Sequence, residues 1–168
     1  MMLLAVGKGS DVVRSVMGKT EAERIAELTP DTQLALRALK ARCAARGVKV
    51  YVGQTVRDRT EQAAQVAAGR SDNDNSWHLV RRAADCYVID PTTGKADTKG
   101  TRLVDYKVMH EEAKRLGFRG IAFNEDGSKR YIGKGVWDVG HLEFRGGMNW
   151  SQALAKLDST DKKRRGLA

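Results

Sequence analysis

Two short segments, far apart in the chain, hold the residues that its fold must bring together. The first is Ser76-Trp77-His78, followed seven residues after the histidine by Asp85. The second is Trp137-Asp138-Val139-Gly140-His141. As patterns they read His-x6-Asp and Asp-x-x-His, and they contain two of the chain's three histidines. Two imidazoles and a carboxylate form a ligand set for zinc. A catalytic zinc site takes three protein ligands and keeps a fourth position open for water. It also needs a base for that water, and Asp138 stands three residues before the last histidine. A fold that serves this chemistry must set the two segments side by side.

Hydrophobic periodicity suggests how. Thr29-Pro30 opens a helix, with a capping residue and then proline in the first turn. Leu36, Leu39 and Cys43 recur along it at helical spacing, and Gly47 stops it. Residues 48–52 alternate as a half-buried strand does. Thr60 caps a second helix through Ala68. The polar loop 71–75 then delivers the chain to Ser76 and His78. Residues 85–90 read as a strand ending in the turn 91–94. A helix over 103–116 turns Val104, Val108, Ala113 and Leu116 to the core. Residues 118–123 and 139–144 are further strands. Asn124 to Ser128 lacks the twelve-residue calcium-loop pattern and reads as a hairpin turn. Together these elements predict an α+β fold: a small antiparallel sheet with helices packed on one face and the metal site at the sheet. His141, on the last strand, lies beside the strand of Asp85.

The body spans residues 29–149. Residues 1–28 form a glycine-punctuated lead-in with one amphipathic helix near Lys19–Leu28. Residues 150–168 form a basic tail. Trp150, Leu154 and Leu157 share a face there, ahead of Lys162-Lys163-Arg164-Arg165. This tail reads either as a solvated, frayed terminus or as an electrostatic tether to anionic envelope surfaces.

A chain of 168 residues with 41% apolar content forms one ordinary domain. No apolar run approaches the ~20 residues of a membrane helix. Met1 to Val6 is apolar but short and lacks a basic start, so it does not read as a secretory signal; the expected location is a cytoplasm. Cys43 and Cys86 form no CxxC and are expected as free thiols. Cys86, next to Asp85 in a strand, should point to the opposite face. The net charge of +9 suggests a polyanionic partner, either nucleic acid or an anionic wall polymer. No nucleic-acid motif is present, and 6% aromatics make a base-stacking platform hard to build. No nucleic-acid partner is expected.

These residues resemble the zinc D-Ala-D-Ala carboxypeptidase and L-alanyl-D-glutamate endopeptidase family, which includes phage endolysins acting on peptidoglycan. Ser76, His78 and Asp85 match its S-x-H-x6-D motif. Asp138, His141, Leu142 and Glu143 match its second motif. Thr55-Val56-Arg57, Glu61-Gln62 and Gly69-Arg70-Ser71 match a strand-end arginine and the helix after it. The resemblance runs from about residue 29 to 144. There are two departures: Arg81 stands where members often carry glycine, and Gly140 where they commonly carry proline.

The resemblance implies zinc held by His78, Asp85 and His141, with Asp138 as general base and Arg57 holding a substrate carboxylate or the developing anion. Ser76 would bond substrate or orient a ligand. Glu143 would support a ligand imidazole or simply sit exposed on its strand. Trp77 and Trp137 would wall a groove or pack, and His110 reads as a surface residue. The implied activity is a zinc peptidoglycan peptidase acting on stem peptides as a monomer. L-alanyl-D-glutamate endopeptidase action, in a phage-type endolysin that reaches the wall after membrane permeabilisation, is preferred. The alternatives are D-Ala-D-Ala carboxypeptidase action or a non-enzymatic zinc-containing wall-binding module.

Overall fold

The computed structural model describes residues 18–132, 135 and 137–168. The first part of the lead-in, residues 1–17, lies outside the described residues. Its helix is α1, Glu21–Ala26, followed by α2, Pro30–Ala45. Thr32, Leu36, Leu39 and Cys43 form the buried stripe of α2, at the spacing that puts residues on one helical face. Pro30 opens this helix, but Thr29 makes no capping bond; its hydroxyl donates to Asp31 at 2.6 Å instead. Strand β1, Val50–Val52, leads to α3, Arg59–Ala67. The cap of α3 is Asp58 rather than Thr60. The Asp58 carboxylate accepts from the Glu61 N–H at 2.8 Å and the Glu61 side chain reaches back to the Asp58 N–H, a reciprocal capping box.

Next come β2 (Ala83–Val88), α4 (Leu103–Arg115), β3 (Phe118–Gly120) and β4 (His141–Phe144). The sheet order is β1-β2-β4-β3, and every pairing is antiparallel. On α4 the buried apolar face is Tyr106, Met109 and Ala113. Val104, expected in the core, is 76% exposed. The Tyr106 phase prevails because that ring fills the core more fully than a valine. The expected hairpin turn is present: the Asn124 N–H donates to the Ser128 carbonyl at 2.9 Å.

Alternation along the strands separates two faces. Val50, Val52, Ala84, Cys86, Val88 and Leu142 face the core with α2 and α4. Cys86 is fully buried there, as its parity demands. The opposite parity carries Asp85, His141 and Glu143. Asp85 lies within β2, two residues past its start, directly across from His141. Glu143 lies across from Arg119. The α+β arrangement thus keeps a packed apolar face and a face carrying Asp85, His141 and Glu143 on the same sheet.

The C-terminal segment is folded rather than frayed. It forms α5, Trp150–Ala155, and α6, Ser159–Arg164. Ala153 and Leu157 pack with Trp77, Val80 and Ala83 in a second, smaller core. The indole of Trp150 donates to the Ser76 carbonyl at 3.1 Å. Asp161 pairs with Arg81, and Arg165 is buried. Among the described residues no helix is long and apolar enough to cross a membrane.

Candidate metal centre

The β2–β4 register delivers two of the three candidate ligands as a cross-strand pair, and the turn before β2 delivers the third. That turn reverses through Arg81 at φ +63°, which among the described residues is the one non-glycine in the left-handed region. Such a conformation costs an L-residue roughly 1–2 kcal/mol, which explains why glycine suits the position. Here the Arg81 side chain offsets the cost. It pairs with Asp161 and donates to the Glu27 carbonyl at 2.5 Å. Gly140 has its own reason: a Cβ there would lie 2.9 Å from the Cys86 carbonyl oxygen and 2.9 Å from the Tyr87 ring. In this chain a proline would not fit.

The three donor atoms converge. His78 Nε2 lies 3.1 Å from Asp85 Oδ1 and 3.2 Å from His141 Nδ1. His141 Nδ1 lies 3.3 Å from Asp85 Oδ1. Their far sides fix their protonation. His78 Nδ1 is 2.8 Å from the Thr55 carbonyl. A carbonyl only accepts, so in neutral His78 the proton sits on Nδ1 and Nε2 is bare. His141 Nε2 faces Glu143 Oε1 at 3.2 Å, so in neutral His141 the proton sits on Nε2 and Nδ1 is bare. Two nitrogen lone pairs and a carboxylate oxygen therefore point at one spot. Zinc bonds of about 2.0–2.1 Å in a tetrahedron set ligand atoms about 3.3–3.4 Å apart, close to the separations found here. The donor set fits a zinc ion, and each imidazole is held from behind as metal-bound histidines are.

The electrostatics agree. Burial alone would lower the His141 imidazolium, but hydrogen bonds to Asp85 and Glu143 push it up to about 10. Burial would raise the Asp85 carboxyl, yet the His78 and His141 imidazoles hold it well below the usual range. Both directions describe a pocket that favours positive charge between the imidazoles and Asp85, carried by a proton or by a metal ion. Asp138 differs. Desolvation, reinforced by the Asp85 charge, raises its carboxyl above the ordinary value. Its Oδ1 accepts the His141 backbone N–H at 3.2 Å, so it stands beside the cluster without joining it.

Arg57 joins from the side. Its Nη2 donates to the outer oxygen of Asp85 at 3.2 Å, and Gln54 and Gln62 accept its other donors. The Ser76 hydroxyl accepts the His78 N–H at 3.3 Å. Glu143 supports His141, and Arg145 fixes Glu143 in turn at 2.8 Å. Trp77 is buried in the second core, and Trp137 packs against the main one; its indole donates to the Ala122 carbonyl. His110 is a correction. It is half-buried, donates from Nε2 to the Val139 carbonyl at 2.9 Å and packs edge-on against Phe123. It thereby props the loop that enters β4. Gly120 makes room for it, since a Cβ there would meet the ring at 2.2 Å.

The sequence motif includes Thr55 only as a neighbour of Arg57, and its contribution is a backbone carbonyl. Gln54 goes unmarked. Gln62 is matched only as part of a pair, yet it is 1% exposed within a polar helix, and such burial of an amide marks an organising role.

No family model matches the sequence, and no curated protein matches it. Solved structures do. The fold is shared with solved peptidases. The L-Ala D-Glu endopeptidase ChiX of Serratia marcescens superposes with a TM-score of 0.52 at 19% identity, over 74% of this chain and 85% of that one. The LD-carboxypeptidase LdcB superposes with a TM-score of 0.50 at 16% identity, over 83% of this chain and 72% of that one.

Proposed function

We propose that this chain is a zinc-dependent peptidoglycan peptidase, most specifically an L-alanyl-D-glutamate endopeptidase acting in lysis of a bacterial wall. The observation that carries this reading is the convergence of three lone pairs beside a carboxylate of raised pKa. A non-enzymatic wall-binding module would need the ligands but has no use for Asp138. The fold is shared with an endopeptidase, ChiX, and with a carboxypeptidase, LdcB, and the digestion below separates the two actions.

His78, Asp85 and His141 would hold the zinc. When bound there, zinc supplies Lewis acidity that polarises a carbonyl and eases deprotonation of water. The chain's own residues do the rest. Asp138 takes the proton of the attacking water on its carboxylate and returns it to the leaving amine nitrogen. The Thr55 carbonyl and Glu143 hold the imidazoles in register. Arg57 keeps the Asp85 carboxylate aimed and adds positive charge where the carbonyl oxygen becomes anionic. Of the tail cations, Lys163 and Arg164 remain exposed and are available to an anionic envelope surface, whereas buried Arg165 is not.

The test is digestion of purified peptidoglycan, with the new amino termini identified by mass spectrometry. New D-glutamate amino termini are expected. Release of free D-alanine alone would replace endopeptidase by carboxypeptidase action, and the absence of any product from zinc-loaded protein would refute the enzyme.

A further inference from the structure

A groove of about 300 Å³ opens beside the metal centre and is lined by five arginines: Arg57, Arg70, Arg119, Arg130 and Arg145. They differ in what the protein already does with them. Arg57 donates to Gln54, Gln62 and Asp85. Arg70 donates to Gln65 at 2.9 Å. Arg145 makes two short contacts to Glu143. The other two are held less firmly. Arg119 makes a loose ion pair, its Nη1 3.7 Å from Glu143 and beyond hydrogen-bond reach, and its side chain is 47% exposed. The exposed Arg130 side chain has no hydrogen bond or ion pair to any described residue.

Both come from one side of the groove. Arg119 lies on β3, opposite Glu143 of β4. Arg130 returns along the same segment, its N–H donating to the Ala122 carbonyl at 2.8 Å. Glu143 is drawn mainly to His141 and Arg145, so it holds Arg119 only loosely. Two guanidinium groups thus line the groove beside His141 with no carboxylate in hydrogen-bond contact.

We propose that Arg119 and Arg130 are specificity-determining residues. They read a free carboxylate on the substrate residue that follows the scissile bond, so the enzyme takes stem peptides carrying D-glutamate and rejects those carrying its carboxamide, D-isoglutamine. This inference rests on the endopeptidase reading. A carboxylate offers two acceptor oxygens to a guanidinium fork. A carboxamide offers one, and turns N–H donors toward other donors.

The experiment measures kcat/KM for two synthetic peptides, L-Ala-γ-D-Glu-L-Lys and its D-isoglutamine counterpart, with zinc-loaded wild type, Arg130→Gln, Arg119→Gln and Arg130→Lys. Wild type should favour the free acid by about tenfold, the scale of one charge-assisted hydrogen bond at a partly exposed site. Each glutamine variant should lose rate on the free acid alone, closing the ratio, and Arg130→Lys should restore part of it. Unaltered zinc content and thermal midpoint certify the variants. Equal cleavage of both peptides by wild type, or parallel loss on both peptides in Arg130→Gln, overturns the subsite and leaves the endopeptidase standing. Cleavage of neither peptide by zinc-loaded wild type overturns both.

Discussion

Asp85 and Glu112 are both carboxylates removed from water, with side chains 11% and 3% exposed, and their surroundings are opposite. Glu112, on α4, meets Arg42 at 2.6 Å, Arg46 at 2.9 Å and Arg115 at 2.6 Å. Every one of those contacts brings a hydrogen. Asp85 meets one guanidinium at 3.2 Å and two imidazole nitrogens, both of which are bare when their far sides hold the proton. Glu112 is complete as it stands. Asp85 and its neighbours are complete only with a cation. Burial of an acid is therefore no sign of a metal site by itself; what decides is whether its neighbours donate or accept.

The largest test of that contrast removes the imidazoles. Replacing His78 and His141 by Ala should take zinc from about one per chain, as a three-ligand site requires, to none, with hydrolysis falling below detection. Glu112→Gln should leave zinc content untouched. Zinc analysis of both purified proteins checks this, and full zinc occupancy in the double variant would falsify the ligand assignment. Next in size is Asp138→Ala. It removes a proton acceptor but no ligand, so zinc should stay while the rate falls by about 10²–10⁴. Metal loss in this variant would make Asp138 a ligand instead.

The convergence of His78, Asp85 and His141 is legible in the sequence because histidine is rare here and the spacing is fixed by strand geometry. Asp85 and His141 oppose one another in the β2–β4 ladder, and His-x6-Asp is one turn plus the start of that strand. The groups that hold the cluster were less legible. The Thr55 carbonyl carries no residue identity. The Arg42–Arg46–Arg115 ring about Glu112 depends on how α2 lies against α4, which no local pattern states. The cap of α3 was misplaced by two residues because Asp58 and Thr60 are both good caps, and the Glu61 capping box decides between them. The tail's basic run concealed its packing, since Ala153, Leu157 and buried Arg165 gain their partners only when Trp77, Val80 and Arg81 are nearby.

A smaller effect separates the two carboxylates by pH. Hydrogen bonds from Arg42 and Arg46, against some burial, lower the Glu112 carboxyl below its ordinary 4.5. A depressed carboxylate contributes stability that is present above its unfolded value and lost as pH falls through its folded value. The thermal midpoint of wild type should therefore exceed that of Glu112→Gln fully at neutral pH. The gap should close below about pH 4.5. A gap that persists into strong acid would show that packing, not charge, sets the contribution of Glu112.

The smallest effect concerns the turn that carries His78 to Asp85. Arg81 holds φ +63° while its side chain ties the turn to Asp161 and to the Glu27 carbonyl. Arg81→Ala removes those ties and keeps the backbone cost. Arg81→Gly removes the same ties and relieves the cost. The two variants thus differ by backbone alone, and glycine should be the more stable by about 1 kcal/mol. Urea unfolding of both, with zinc saturating, measures it. If alanine equals glycine, the turn relaxes to an ordinary conformation once the arginine is gone. The Arg81 side chain, rather than the chain reversal, would then be what fixes His78 against Asp85. In that case both variants should also bind zinc less tightly than wild type, whereas a turn that keeps its shape leaves zinc affinity unchanged in both.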